Sequence, residues 1–396
     1  MDTNLNTDSK NNSGIADEIA DVSNCSNVVG QTHPQYSKIC ESEKLKTTNI
    51  ESLPDETIFD ILVRVPAQNI CNSTRFVCRK WYQIIRTREF IHSHLRQSTP
   101  PGLLIQKITP MSDEPIFVTT RKARIEIYNI NYNFTHSVLS SCNGLILECH
   151  DKSLNLCITN PATKQHFTLP RFVSYSSTIA YAVGSMKYKL VCPFYDESKS
   201  RDEIAILTVG ICDGHSSSVM DTRPFRAHPP LYTEGFVHWA DREGLYVLTM
   251  NIETEIVTQF RIPECRFGDS SWYYYLSTGS HLTTLIGRAK FVWEVWEMKS
   301  ETGEWTKTMI IDLESEKLSF KSGRMLIPVG WLNFGDVLVF KVYTRGAYPS
   351  IYIPDKLCIA YNVRTHEIID SFCTPDGYNK FVDHRDSLVW LDLDGH

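Results

Sequence analysis

The 396-residue chain is long enough for a small module followed by a large domain, and its 42% apolar residues can fill a substantial core. The formal charge of −6 divides into −4 over residues 1–52, +3 over 53–97 and −5 beyond, so no region has the basic excess of a nucleic-acid-binding surface. No apolar run is long enough to cross a bilayer, and the amino terminus shows neither a signal nor a transit pattern; both point to cytoplasm, nucleus or both, and to reduced, packed thiols for the 12 scattered cysteines. Residues 1–48 are rich in Asn, Ser, Asp and Thr with few aromatics and are expected to be disordered.

The first ordered element that the pattern predicts is LPDETIFDILVRVP, residues 53–66. Leu53, Ile58, Ile61, Leu62 and Val65 form one helical stripe flanked by Asp55, Glu56, Asp60 and Arg64. Pro54 suits a first turn, Asp55 and Glu56 favour the helix dipole, and Pro66 stops the helix at Val65. A helix of about three turns is marginal alone, so the stripe needs partners inside or outside the chain. RFVCRKWYQII follows, with Val77, Trp81, Ile84 and Ile85 on one face, and STPPG at 98–102 ends the helical part.

Beyond Gly102 the pattern changes to short β-branched and aromatic runs, among them LLIQK, PIFVTT, IEIYNI, GLILECH, LYVLTMNI, FVWEVWEM and VLVFKVY. A unit of strand, polar turn and strand recurs in SLNLCITNPATKQHFTLP, LYVLTMNIETEIVTQFRIP, VWEMKSETGEWTKTMII and LCIAYNVRTHEIIDSF. The wide gap between the first two leaves room for another near AILTVGICDGHSSSV. At about 45 residues per four-stranded blade, the region from 98 onward makes about six blades of a propeller, whose ends must then meet near LLIQK and SLVWL; a β-sandwich is the competing fold.

Reactive constellations are missing from the pattern. The chain has no G-x-S-x-G, Walker, G-x-G-x-x-G, H-E-x-x-H or C-x-x-C motif, and His92 and His94 read as a solvated helix end, not a metal pair, so neither a catalytic residue, a metal nor a cofactor is expected. SWYYYLSTG at 271–279 reads as strand core more than as a stacking platform, and Trp239, Trp293, Trp296 and Trp305 as packing between strands. DTRPFRAHPP at 221–230 differs: Arg223, Phe225, Arg226 and His228 among prolines make an exposed loop, which reads as a connector first and as a place for partner selection on a rigid scaffold second.

Leu53-Pro54, Glu56, Ile58, Ile61-Leu62, Arg64, Pro66, Arg75-Phe76-Val77-Cys78-Arg79, Trp81, Ile84-Ile85, Phe90 and His94-Leu95 together resemble an F-box. SCNGLILE, NPATKQ, GFVHWAD, MNIETEIVTQFRIP, WEVWEMKS and EWTKTMIIDL resemble, in the same order, the F-box-associated domain abundant in plants. The distance from Pro66 to Trp81 is one residue longer than usual, and RTREF lacks the usual proline before Phe90, which would let the third helix run on. The resemblance implies an α+β multidomain chain: a disordered segment 1–48, an all-α F-box module over 49–98, and an all-β, propeller-like (kelch-type) domain over 99–396. It also implies a non-catalytic substrate-recognition subunit of a cullin-based ubiquitin ligase. The module would bind a Skp-type adaptor, and through it the cullin complex, by Leu53, Pro54, Ile58, Ile61, Leu62, Pro66, Val77, Cys78 and Trp81. The β domain would hold an unidentified protein client, with no nucleic acid or membrane partner. The alternative is a propeller-type binding or catalytic protein whose helical prefix docks without ubiquitylation.

Overall fold

The computed structural model describes residues 53–390 except 98–99, 109–114, 131, 133, 135, 151–154, 170–175, 210–214, 218–228, 241–245, 264–271, 315–323, 346–351 and 376. Segment 1–48 therefore lies outside the described residues.

Four helices come first: α1 (Asp55–Leu62), α2 (Ala67–Asn72), α3 (Arg79–Ile85) and α4 (Arg88–Gln97). The predicted stripe is present, but α1 ends at Leu62, three residues before the expected stop, and Pro66 instead begins α2. Its fixed φ and missing N–H suit a helix start. A 3-10 turn over Thr74–Phe76 fills the long interval between Pro66 and Trp81. The third helix does not run on: the chain breaks at Arg86-Thr87, where the Thr87 hydroxyl accepts the Phe90 N–H at 3.2 Å and so caps α4 without the missing proline. Ile58, Leu62, Val63, Ala67, Ile70, Cys71, Trp81, Ile85 and Phe90 are buried together as the core of these helices.

Six four-stranded antiparallel sheets follow, the six blades of a β-propeller. The strands are β1 (Gly102–Lys107), β2 (Ile116–Arg121) and β3 (Arg124–Asn129); β4 (Ser137–Cys142), β5 (Leu145–Cys149), β6 (Leu156–Asn160) and β7 (Gln165–Thr168); and β8 (Thr178–Ala182), β9 (Lys187–Asp196), β10 (Arg201–Thr208) and β11 (His215–Ser217). The second half holds β12 (Leu231–Thr233), β13 (Phe236–Ala240), β14 (Tyr246–Asn251) and β15 (Val257–Arg261); β16 (Trp272–Ser277), β17 (Leu282–Ala289), β18 (Val292–Lys299) and β19 (Glu304–Asp312); β20 (Arg324–Leu332), β21 (Val337–Arg345), β22 (Tyr352–Asn362) and β23 (Glu367–Cys373); and last β24 (Asn379–His384). Within a blade, chain order runs from axis to rim. Blade two shows it: β5 and β6 are buried throughout, whereas β7 is half-exposed.

The repeat read in the sequence is the hairpin joining the third and fourth strands, and β10–β11 supplies the unit expected near AILTV. Its turn has a common construction. Asn160, Asn251 and Asn362 end their strands, and each side-chain oxygen accepts the N–H groups two and three residues on. The fifth residue of each turn, Lys164, Glu255 or His366, has positive φ. In the fifth blade Lys299 takes the Asn place and Gly303 the left-handed position.

The ring closes through β24, which pairs with β1 from Gly102↔His384 to Lys107↔Asn379, so the last strand of the chain becomes the inner strand of the first blade. LLIQK is thus a closing strand as expected, but its partner is NKFVDH and not SLVWL. The later segment 385–390 instead crosses to the second blade and to the helices. Aromatic expectations divide in the same way: Trp239 and Trp293 are buried and Trp296 and Trp305 half-buried, and Tyr273–Tyr275 pack against the core, but Trp272 is 53% exposed.

Candidate functional site

Strand direction sorts the connections onto two faces. First-to-second and third-to-fourth strand turns open on one face; second-to-third loops and the links between blades open on the other. The helices sit on the first face. Ala162, in the turn after β6, and Leu388 complete the helical core, Ile91 of α4 packs on the core of blades two and three, and the His92 ring lies 6.3 Å from that of Tyr181.

The junction is built from two of the motifs singled out in the sequence. In SCNGLILE, Asn143 and Gly144 make the left-handed two-residue turn between β4 and β5, and a Cβ on Gly144 would stand 2.2 Å from the Ser387 hydroxyl. The Ser387 hydroxyl donates to the Asn143 carbonyl at 2.5 Å. In NPATKQ, the Asn160 side-chain oxygen makes its turn while its NH2 donates to the carbonyls of Ser387 at 3.2 Å and Val389 at 2.8 Å. Asn160 is buried, so these bonds have no water to replace them. Val389 then enters the core of blade two and Leu388 the core of the helices.

His94 overturns the reading of a solvated helix end. It is fully buried, and its Nε2–H donates to the Val65 carbonyl at 2.7 Å, tying α4 to the loop before α2. Burial holds its pKa below the ordinary imidazole value, against the pull of that hydrogen bond. Lys80, which the sequence did not single out, fixes the other end: its ammonium donates to the Leu53 carbonyl at 2.9 Å and pairs with Asp55 at 2.6 Å. Nothing in the hydrophobic pattern marks a lysine on α3 as a clamp on the start of α1.

The nine adaptor candidates separate by depth. Ile58, Leu62 and Trp81 lie in the module's own core, Leu53 and Cys78 are half-buried against it, and Pro54, Ile61, Pro66 and Val77 are exposed. Ile61 is 47% and Val77 54% exposed. Phe76, missing from the candidates, is 68% exposed, with the Arg75 guanidinium 4.6 Å from its ring centre. It sits in the 3-10 turn, off every helical stripe, so periodicity could not find it. Arg223, Phe225, Arg226 and His228 lie outside the described residues; β11 ends and β12 begins on the face away from the helices. On that face Trp272, Tyr378 and Ile108 are 53%, 58% and 63% exposed.

Among the described residues no group of three or more His, Cys, Asp or Glu is arranged to hold a metal, and the cysteines are free thiols. Cys142, Cys192 and Cys358 are buried, and loss of water pushes each thiol up to about 12. Such thiols are packing groups and not nucleophiles.

Comparison with known proteins follows the same division. A family model described as F-box-like matches residues 50–97, and one described as an F-box associated beta propeller domain matches residues 106–353. One F-box protein of Arabidopsis thaliana is 27% identical over 164 residues, 40% of either chain, and the putative F-box only protein 15 of the same plant is 28% identical over 34% of this chain and 37% of its own. The chain thus matches about two fifths of the length of these two relatives. Another Arabidopsis thaliana F-box protein is 25% identical over 86% of this chain and 94% of its own. Among solved structures, TolB from Acinetobacter baumannii aligns over 77% of this chain and 73% of its own at 10% identity with a TM-score of 0.43, too loose a likeness to add to the fold already described.

Proposed function

Because the chain belongs to the family with an F-box-associated beta-propeller domain, we propose that it is the client-recruiting subunit of a cullin-based ubiquitin ligase. In this reading the helical module docks on a Skp-type adaptor, and the propeller face away from the helices holds a protein to be ubiquitylated. The observation that carries it is the exposure of Ile61, Phe76 and Val77 on a module whose core is already filled with the help of Ala162 and Leu388. Large apolar side chains left outside a filled core are suited to a protein partner. Of the adaptor candidates, Pro54, Ile61, Pro66 and Val77 would touch the adaptor, joined by Phe76; Ile58, Leu62 and Trp81 would act by shaping the helices that present them.

The junction at Asn160 and Ser387 supports the same reading in another way. A recruiting subunit gains by holding its client at a set distance from the ligase, and effective concentration depends on how the two sites are linked. Here the link is a shared core, not a free tether. It also means that the two halves are unsuited to separate assay, since a helical fragment would lack Ala162 and Leu388. The cytoplasm or nucleus is part of this proposal.

The test is a comparison of proteins captured by the full chain and by an Ile61→Asp/Val77→Asp variant in plant cells treated with a proteasome inhibitor. The proposal expects adaptor and cullin to be captured only by the unaltered chain, and a common set of clients to be captured by both. It further expects those clients to be more abundant in cells that contain the variant. Cullin capture independent of Ile61 and Val77, or clients processed without it, would overturn the proposal.

A further inference from the structure

The inner strands surround a cavity of about 220 Å³ on the propeller axis. Ser141 of β4, Tyr232 of β12, Ser277 of β16, Val329 of β20, and Lys380 and Asp383 of β24 all line it, so five of the six blades contribute. Pro229 and Pro230 line it as well. They close the segment that carries Arg223, Phe225, Arg226 and His228. Lys380 stands near the start of β24 and Asp383 near its end, about 10 Å deeper by strand rise. The start of that strand lies on the face away from the helices, where Trp272 and Tyr378, at the start of β16 and just before β24, are exposed.

Asp383 differs from Glu203 of β10 and Glu294 of β18, two buried acids on third strands. Glu294 is held by Arg288 and Lys307, and Glu203 by Lys199. Asp383 has no hydrogen-bond or ion-pair partner among the described residues, and loss of water pushes its carboxyl up to about 7. Lys380, the cation of the lining, stands three residues away on β24 and so on the opposite side of the strand. His238 of β13 has its ring nitrogens engaged by Thr233 and Thr249, and burial brings its pKa down to about 3, so it is neutral. His384, next along β24, is bonded to the Ser141 hydroxyl and to Asp386. Leu103 of β1 sits opposite Asp383, and Tyr275 of β16 lines the same cavity.

We propose that this cavity receives the cationic head of a lysine or arginine side chain of the client protein, with Asp383 as its counter-ion. An unpaired carboxylate that has lost much of its water is unfavourable, and a cation is the group that reverses this; an anion or an apolar group would leave it unmatched. The cavity has room for one long side chain and not for a folded element. The inference rests on the reading of the propeller as the client-holding part.

The test uses the full chain and three probes: acetyl-Gly-Lys-Gly-amide, its norleucine counterpart, and n-butylamine, each titrated by calorimetry at pH 6 and pH 8. The lysine peptide is expected to bind saturably at pH 8 and about tenfold more weakly at pH 6, because Asp383 takes up its proton over that interval while the lysine stays charged. The norleucine peptide is expected not to bind, and Asp383→Asn to abolish binding of the lysine peptide. Absence of binding at either pH, equal binding of norleucine, a flat pH profile, or full affinity in Asp383→Asn would overturn the proposal. Butylamine binding as tightly as the peptide would also overturn it, by assigning the site to a free amine. Should Asp383→Asn fail to fold, the norleucine comparison and the pH profile of the unaltered chain decide. Adaptor capture by the same preparation separates failure of this site from failure of the recruiting role.

Discussion

The helical module and the propeller solve the burial of apolar residues in opposite ways. The propeller closes on itself: β24 pairs with β1, and each blade's second and third strands are covered by neighbours. The module does not close. Its core needs Ala162 and Leu388 from the propeller, and on its other side it still leaves Ile61, Phe76 and Val77 outside. A large ring can afford neutral edges, whereas about 45 residues bury too little to stand alone, and their remaining apolar surface indicates where a second protein belongs.

The sharpest way to break this comparison is to damage each core and ask whether the other survives. Trp81→Ala removes a side chain that is 9% exposed at the centre of the module, and a change of this kind costs about 3–5 kcal/mol. Hydrogen exchange is expected to show α1–α4 losing protection while the inner strands keep theirs. Loss of protection in both at once would mean that the module is part of the propeller's folding unit.

Next in size is the asparagine turn. Asn160 holds both its turn and segment 387–389, whereas Asn251 and Asn362 bond to their turns. Asp keeps the accepting oxygen but removes the two donors, and a buried carbonyl left without its donor costs about 1–3 kcal/mol. Asn160→Asp should therefore lower the melting temperature by several degrees. Asn251→Asp and Asn362→Asp should leave it nearly unchanged. Equal effects at the three sites would remove the special role given to the junction.

The pH dependence separates the regions with a smaller effect. His94 in the module and His238 in the propeller are both held below their unfolded pKa, so each contributes stability that is complete above about pH 6.5 and lost as the pH falls toward the folded value, about 3 for His238. Asp383 has the opposite sign. Its folded pKa is raised, so its contribution is complete below about pH 4 and lost as the pH rises through 7. Asp383→Asn is expected to raise the melting temperature at pH 8 and to change it little at pH 4; a uniform change would contradict the raised carboxyl pKa.

The helical stripe, the strand runs, the six-blade count and the repeated hairpin were all legible, because periodicity and turn residues are local properties. Three things were not. The end of α1 at Leu62 depends on Pro66 starting a new helix, which a stop signal read alone does not show. Ring closure by NKFVDH, not SLVWL, depends on pairing across more than 270 residues, and alternation cannot rank such pairs. Depth within the adaptor stripe was the third: Ile58 and Ile61 are both apolar residues on one helix, yet only their neighbours decide that one is 1% and the other 47% exposed. For the same reason the pattern does not show Phe76 as exposed or His94 as buried. The SCNGLILE and NPATKQ motifs were seen, but their shared purpose became visible only where Ser387 lies against both.

The smallest effect on stability carries the largest expected effect on binding. Ile61→Asp with Val77→Asp changes two exposed side chains, each expected to shift folding stability by no more than about 0.5 kcal/mol. The central claim is that these residues are the outward half of an adaptor-docking surface. The direct measurement is the affinity of the purified full chain for a Skp-type adaptor, with and without the double change, alongside both melting curves. The account predicts superimposable melting curves and an affinity about a hundredfold lower in the variant; unchanged affinity with both residues charged would contradict it.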